Sequence, residues 1–358
     1  MNHFFAYLET GTQRYREIFG LDFEEFKLGQ IFHHRPGITL SQQDNKDEAT
    51  ETINSAMLHY DANYASKTEW KNCLGVSTLT LQRVLGSTWK TFYKKSKIKI
   101  YHDIAMSHPV FDGTTLYARS TVKNINPTAS KDLGEVEVIT EAINQNNEVV
   151  SKIHYTVLIY KKGKHPEDQA RAASFKSVSH PKFLAYHDAS NSDESGNPAL
   201  MEQSGLYFED LEPGETYEHR PGKTFFEGEN WQHAMRSLDW HPRHSDLEYV
   251  KKFHDGKLPI SENYLLGVVT ALTTRSFGRV VANLGWINLE VLTPVFVGDT
   301  IYVESVIKEK RLSNSRPTQG IMTADTTAYN QKGEKVLTYT RTFLVYKKGL
   351  GPYEAAGY

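Results

Sequence analysis

The chain has 358 residues, enough for two domains of ordinary size. Its 41 Lys and Arg against 43 Asp and Glu leave a formal net charge of −2, with no basic tail or charge run to follow a phosphate backbone, so nucleic acid is not an expected partner. The single cysteine, Cys73, excludes an intramolecular disulfide and fits a reducing compartment, where it packs as a small apolar residue.

The first twenty residues, MNHFFAYLETGTQRYREIFG, carry aromatics but no basic stretch followed by a continuous apolar run, so they lack signal-peptide form. Nothing further along approaches the roughly 18 apolar residues of a spanning helix. A cytoplasmic protein without membrane association is expected. After FEEFKLGQIFHHRPGIT, Phe23 to Thr39, the stretch following Leu74 (LGVSTLTLQRVLGSTWKTFYKK) places apolar residues at helical spacing and predicts one long buried helix. TLYARSTVKNI, EVEVITEAIN and KIHYTVLIYKK then alternate and favour β-branched and aromatic residues, which predicts strands. NQNNE between two of them suits a hairpin turn. Residues 164–206, rich in Ser, Asn and Asp around 189–198, read as an exposed, partly disordered linker.

Beyond the linker the chain repeats itself. FEDLEPGETYEHRPGKT, Phe208 to Thr224, matches Phe23 to Thr39 at an offset of 185, and TPVFVGDTIYVESVIK from Thr293 matches HPVFDGTTLYARSTVK from His108 at the same offset. By LIYKKG and LVYKKG, which end at Gly163 and Gly349, the offset is 186. A period this long is a domain, not one coil of a solenoid. The expected division is a domain over 1–163, the linker 164–206 and a second domain over 207–358. Each unit is α+β, a helix followed by an antiparallel meander, and PISENYLLGVVTALTTRSFGRVV supplies the second helix. Two such sheets can pair edge to edge. The order of elements is that of the hotdog fold, so the fold class expected is a tandem double hotdog, each unit a long central helix wrapped by an antiparallel sheet.

The densest polar group is SLDWHPRHSDLEY, residues 237–249, with Asp239, His241, Pro242, His244, Asp246 and Glu248. By itself it also reads as a helix-capping turn, with Asp and Ser bonded to backbone N–H groups. Asp239, His241, His244 and Asp246 are competent metal ligands, yet only His244 and Asp246 have same-type partners in the first copy, His59 and Asp61, and no metal is expected. Asp239 falls on Asn54. The shared HRPG, with Arg35 and Arg220, suits packing or a turn, although an arginine there could meet a phosphate or a carboxylate.

The segment Asp239-Trp240-His241-Pro242-Arg243-His244 resembles the signature of the MaoC-like, (R)-specific enoyl-CoA hydratases, which reads Asp, any residue, Asn, Pro, any residue, His; His241 stands where that family has Asn. PVFVGDTIYVES, Pro294 to Ser305, resembles the family's strand with a Gly-Asp-Thr turn. The duplicated layout is more closely similar to the two-domain mesaconyl-CoA hydratases, or β-methylmalyl-CoA dehydratases, over both domains.

The resemblance implies reversible hydration of an α,β-unsaturated acyl-CoA, short, branched or dicarboxylic, with no cofactor beyond the CoA of the substrate. Asp239 and His244 would hold the catalytic water, a carboxylate and an imidazole being able to activate it and deliver a proton. Pro242 would break helical bonding so that both reach one point. Asn54 and His59 would form a second site or line the pocket of the first. Enolate charge would fall to backbone N–H groups at a helix start, near Gly75 in the first half and near Asn263 in the second. The CoA tail is expected between the halves, and self-association into a homo-oligomer is compatible with this layout. The competing readings are a hotdog thioesterase, with Glu262 as its helical acid, and a non-catalytic acyl-thioester-binding module.

Overall fold

The computed structural model describes residues 4–52, 54–171, 173–193, 196–237 and 239–358. Strand Leu133–Asn144 shows the rule by which its sheet is built: alternate residues from Gly134 to Asn144 are buried and those between are half-buried. Period-two alternation of this kind gives a sheet one packed face. Thr300–Leu312 repeats the pattern with Ile301, Val303, Ser305 and Ile307 inward.

The chain forms two compact units, the first built mainly on residues 19–173 and 184–203, the second on 5–18, 174–183 and 204–358. In the first, strands run in the order Lys95–Met106, Val149–Tyr160, Leu133–Asn144, Thr115–Pro127, Ile31–Thr39, and these five are antiparallel. In the second the order is Val280–Val291, Lys335–Tyr346, Gln319–Tyr329, Thr300–Leu312, Thr216–Thr224, again antiparallel. The central helices Ser77–Ser87 and Glu262–Thr273 lay Leu79, Thr80 and Val84, and Leu265, Val269 and Thr273, on the packed faces. Each fully buried Leu or Val there is worth about 1.5–3 kcal/mol against exposure. Helix plus wrapped meander, twice over, is the tandem hotdog architecture the repeat predicts.

The expected boundaries do not hold. Tyr7–Gly11 and Arg14–Glu17 form a hairpin, and Arg14–Glu17 runs parallel to Thr216–Thr224, so these residues extend the second sheet instead of belonging to the first domain. The segment expected as a bare linker likewise carries strands: Pro198–Glu202 pairs parallel with Ile31–Thr39 and antiparallel with Tyr186–Ser192. The reason is what its side chains meet. Within PALME, Ala199, Met201 and Glu202 are buried, and Glu202 accepts from Thr91 Oγ1 and meets His34 Nδ1, both at 2.8 Å. An added strand also covers an edge that would otherwise present open backbone groups. Residues 194 and 195 of this segment lie outside the described residues.

The two HRPG motifs are packing devices. Arg35 stacks over the Tyr117 ring at 4.5 Å and Arg220 over Tyr302 at 4.9 Å, while a Cβ on Gly37 or Gly222 would strike those same rings at 2.4 and 2.6 Å. Their histidines, His34 and His219, are completely buried. The hairpin turns place Asn147 and Gly333 at equivalent positive-φ positions, 63° and 79°, where only residues tolerant of left-handed backbone fit. Among the described residues no helix is long and apolar enough to cross a membrane.

Candidate active site

Helix Glu227–Arg236 buries Asn230 and Ala234, and the carbonyl of Ala234 accepts from the N–H of Asp239 at 2.9 Å. That bond fixes where Asp239 leaves the helix. Pro242–His244 is a single tight turn, opened by His241, whose Nδ1 accepts from the N–H of Arg243 at 3.2 Å. Pro242 stands at its first position, where a missing N–H costs nothing. The turn drives His244 inward, to 2% exposure, while Trp240 stays 67% exposed.

His244 Nδ1 lies 3.2 Å from the carbonyl oxygen of Pro259, which can only accept, so this nitrogen carries the proton and Nε2 holds the lone pair. Arg243 Nε donates to Nε2 at 3.0 Å, an orientation that also requires a lone pair there. Asp239 Oδ2 stands 3.5 Å from Nε2, at side-chain exposures of 26% and 0%, a separation that invites a shared water. Burial pushes the His244 pKa below its ordinary value, the Arg243 cation adds to the fall, and the Asp239 carboxylate opposes it. The imidazole is therefore neutral near pH 7 and able to accept a proton.

Asp239 and His244 are thus brought together as the sequence reading expects. His241 and Asp246 serve the backbone: Asp246 caps Leu247–Phe253, accepting from the N–H groups of Glu248 and Tyr249 at 3.0 Å each. In the first unit His59 Nδ1 donates to the Leu74 carbonyl at 2.8 Å and Asp61 caps Ala62–Ser66, so the frame is the same. Asn54, in the place of Asp239, spends its Oδ1 on the N–H of Ala56 at 3.0 Å. The equivalent position to the acid holds no carboxylate.

The expectation for Gly75 requires correction. Its N–H donates to the Val110 carbonyl at 2.7 Å, two residues before the helix begins at Ser77, so it offers no free donor. Asn263 is better placed, exposed in the first turn of Glu262–Thr273. Ser261 does not cap that turn with its side chain; its Oγ donates to Asp239 Oδ2 at 3.3 Å. Glu262, the acid of the thioesterase alternative, is half exposed and accepts from Arg243 Nη2 at 2.9 Å.

Two buried asparagines escape a motif search. Asn230 Nδ2 donates to the Pro259 carbonyl at 3.0 Å, and its Oδ1 accepts from the Ser261 N–H at 3.4 Å. Asn45 does the same work in the first unit, donating to Leu74 and His59 carbonyls and accepting from Val76. The available signal was an Asn repeated at the 185 offset in two otherwise dissimilar helices. Among the described residues, the three that bring metal-competent donors within 4.8 Å of one another are His102, Glu137 and His154, on the first unit's sheet, and none of them belongs to this site.

A sequence model of the mesaconyl-CoA hydratase family matches residues 3–178 and 185–357. A mesaconyl-CoA hydratase of Cereibacter sphaeroides is 32% identical over 150 residues, 42% of this chain and 43% of that protein. One of Haloarcula hispanica is 25% identical over 170 residues, 47% and 48% of the two chains. The matched region spans about half the length of these relatives. A solved structure of a MaoC domain protein dehydratase from Chloroflexus aurantiacus is 21% identical, with 92% of this chain and 98% of that one covered and a TM-score of 0.40. With both copies of the repeat matched, the chain belongs to the mesaconyl-CoA hydratase family.

Proposed function

We propose that the second unit hydrates an α,β-unsaturated acyl-CoA, short and branched or dicarboxylic as mesaconyl-CoA is, and catalyses the reverse dehydration. The observation that carries this reading is the approach of Asp239 Oδ2 to within 3.5 Å of the lone-pair nitrogen of a buried, neutral His244. A water held by both passes a proton to His244 Nε2 as its oxygen bonds to the β-carbon, and that proton is then delivered to the α-carbon, so the pair ends as it began. Negative charge on the thioester oxygen meets the N–H groups of Glu262 and Asn263, left open because Ser261 turns to Asp239. Adding water to a polarised double bond needs neither a metal nor a redox cofactor. His59 and Asn54 serve as pocket or scaffold. The single buried Cys73 fits work in a reducing cytoplasm.

The test is loss of enoyl-thioester absorbance with mesaconyl-CoA and crotonyl-CoA. Asp239→Asn and His244→Ala are expected to cost roughly 10²–10⁴-fold in kcat, and His59→Ala only a few-fold. Wild-type protein inert toward both thioesters would sink the hydratase reading and bring a thioesterase or an acyl-thioester-binding role forward.

A further inference from the structure

Arg243 is the feature of this site that the proposed reaction does not use. Its Nε–H occupies the lone pair of His244 Nε2 at 3.0 Å, where the reacting water has to sit. Its other contact is to Glu262, a carboxylate with half its surface in solvent. A guanidinium held by an exposed carboxylate and a neutral imidazole is weakly held and ready to exchange partners.

The repeat adds an independent observation. At the 185 offset Arg243 falls on Leu58, and Glu262 falls on Ser77. The half that lacks the acid also lacks the guanidinium and the carboxylate that parks it, so all three differ together.

We propose that Arg243 is a carboxylate-binding subsite: it receives an anionic group carried on the substrate next to the reacting double bond and, in moving to it, uncovers Nε2 of His244. This rests on the hydratase reading above. Distances fix the class. A water on Nε2 reaches its carbon at about 3–3.5 Å, and one further carbon–carbon bond of about 1.5 Å brings a carboxylate within the span of a guanidinium already touching that nitrogen. A carboxylate on the β-carbon of a short enoyl thioester fits; one at the end of a long acyl chain does not. The phosphates of CoA lie at the far end of the pantetheine arm and are common to every thioester tested, so they serve as the internal control.

The experiment compares kcat/KM for mesaconyl-CoA and crotonyl-CoA in wild type, Arg243→Leu and Arg243→Lys, with affinities for the same two thioesters by calorimetry. Arg243→Leu is expected to lower the mesaconyl-to-crotonyl ratio by about 10–100-fold, and Arg243→Lys to recover part of it. The acid limb of the crotonyl-CoA profile should also move to higher pH in Arg243→Leu, because the guanidinium beside His244 helps to hold its pKa down; the substrate ratio and its partial recovery in Arg243→Lys are what a merely structural arginine would not give. An unchanged ratio in Arg243→Leu, with both substrates lost equally or neither affected, overturns the subsite. Should wild type turn over neither thioester, the hydratase reading fails by itself, and the subsite is then decided by binding: equal affinities of wild type and Arg243→Leu for mesaconyl-CoA overturn it.

Discussion

His59 and His244 hold the same place in the two halves, each donating its Nδ1 proton to the carbonyl just before a central helix, at 2.8 Å to Leu74 and 3.2 Å to Pro259. They differ in what faces them. Among the described residues, of the two only His244 looks onto a carboxylate, Asp239, at 3.5 Å. Duplication preserved the frame that orients the imidazole, and the carboxylate beside it stands in one copy, Asn54 taking its place in the other.

The first consequence is a pH profile. His244 titrates below the ordinary imidazole value because of burial and Arg243. Activity should therefore be full near pH 7 and persist below pH 6.5, falling only as His244 becomes protonated. NMR titration of the ring checks the assignment: Asp239→Asn should move the His244 pKa lower still, since it removes the anion that most opposes the fall, leaving only the weaker pull of Glu262. A rise would show that the carboxylate is not the partner.

Asn230→Ala and Asn45→Ala should each destabilise their unit by about 1–3 kcal/mol, the cost of leaving a buried carbonyl and N–H unsatisfied. Only Asn230→Ala should also depress turnover, because it loosens Pro259 and Ser261, which position His244 and Asp239. Urea melts beside kcat separate the two effects. Equal kinetic loss from both variants would place catalysis in both halves.

His219 is fully buried, and burial first, then the cations Arg341, Arg220 and Arg275, pull its pKa down to about 3. The unfolded chain takes up this proton first, so the stabilisation is complete above the ordinary value of 6.5 and is lost as pH falls from there toward 3. The slope for one proton is about 1.4 kcal/mol per pH unit. His219→Gln should flatten the difference in urea midpoint between pH 7 and pH 5. A variant as acid-sensitive as wild type would remove His219 as the cause.

Arg341 is 1% exposed; its Nη2 donates to Thr273 Oγ1 at 2.9 Å, it lies 4.3 Å over the Phe343 ring, and its Nε has no partner among the described residues. The first unit places Tyr155 there, bonded to Thr140 at 3.0 Å. A buried charge without a counter-ion costs more than an apolar neighbour of similar size, so Arg341→Tyr should raise stability, on the order of 1–4 kcal/mol. A lower urea midpoint would mean that the guanidinium is satisfied.

The architecture was legible because burial imposes periodicity. Val136 and Val138, like Val303 and Ile307, had to alternate with half-exposed residues to face one helix, and the 185-residue offset carried that pattern twice. Asp239 and His244 were legible for a related reason, five positions apart across one proline turn. What the sequence could not show were relations between residues distant along the chain. Glu202 reads as one more charge in a polar linker until His34, 168 residues away, takes it into the core. The N-terminal hairpin gives no sign of its attachment to Thr216–Thr224, since its backbone pairs there and its Arg14 and Arg16 find Glu218 only after folding, across separations of 204 and 202 residues. Gly75 looked like an open donor and is closed by Val110, and Arg243 looked like a spacer and sits on the lone pair of His244. Local spacing determines which chemistry is present; the partners brought in by folding determine which donors, charges and lone pairs remain free to use it.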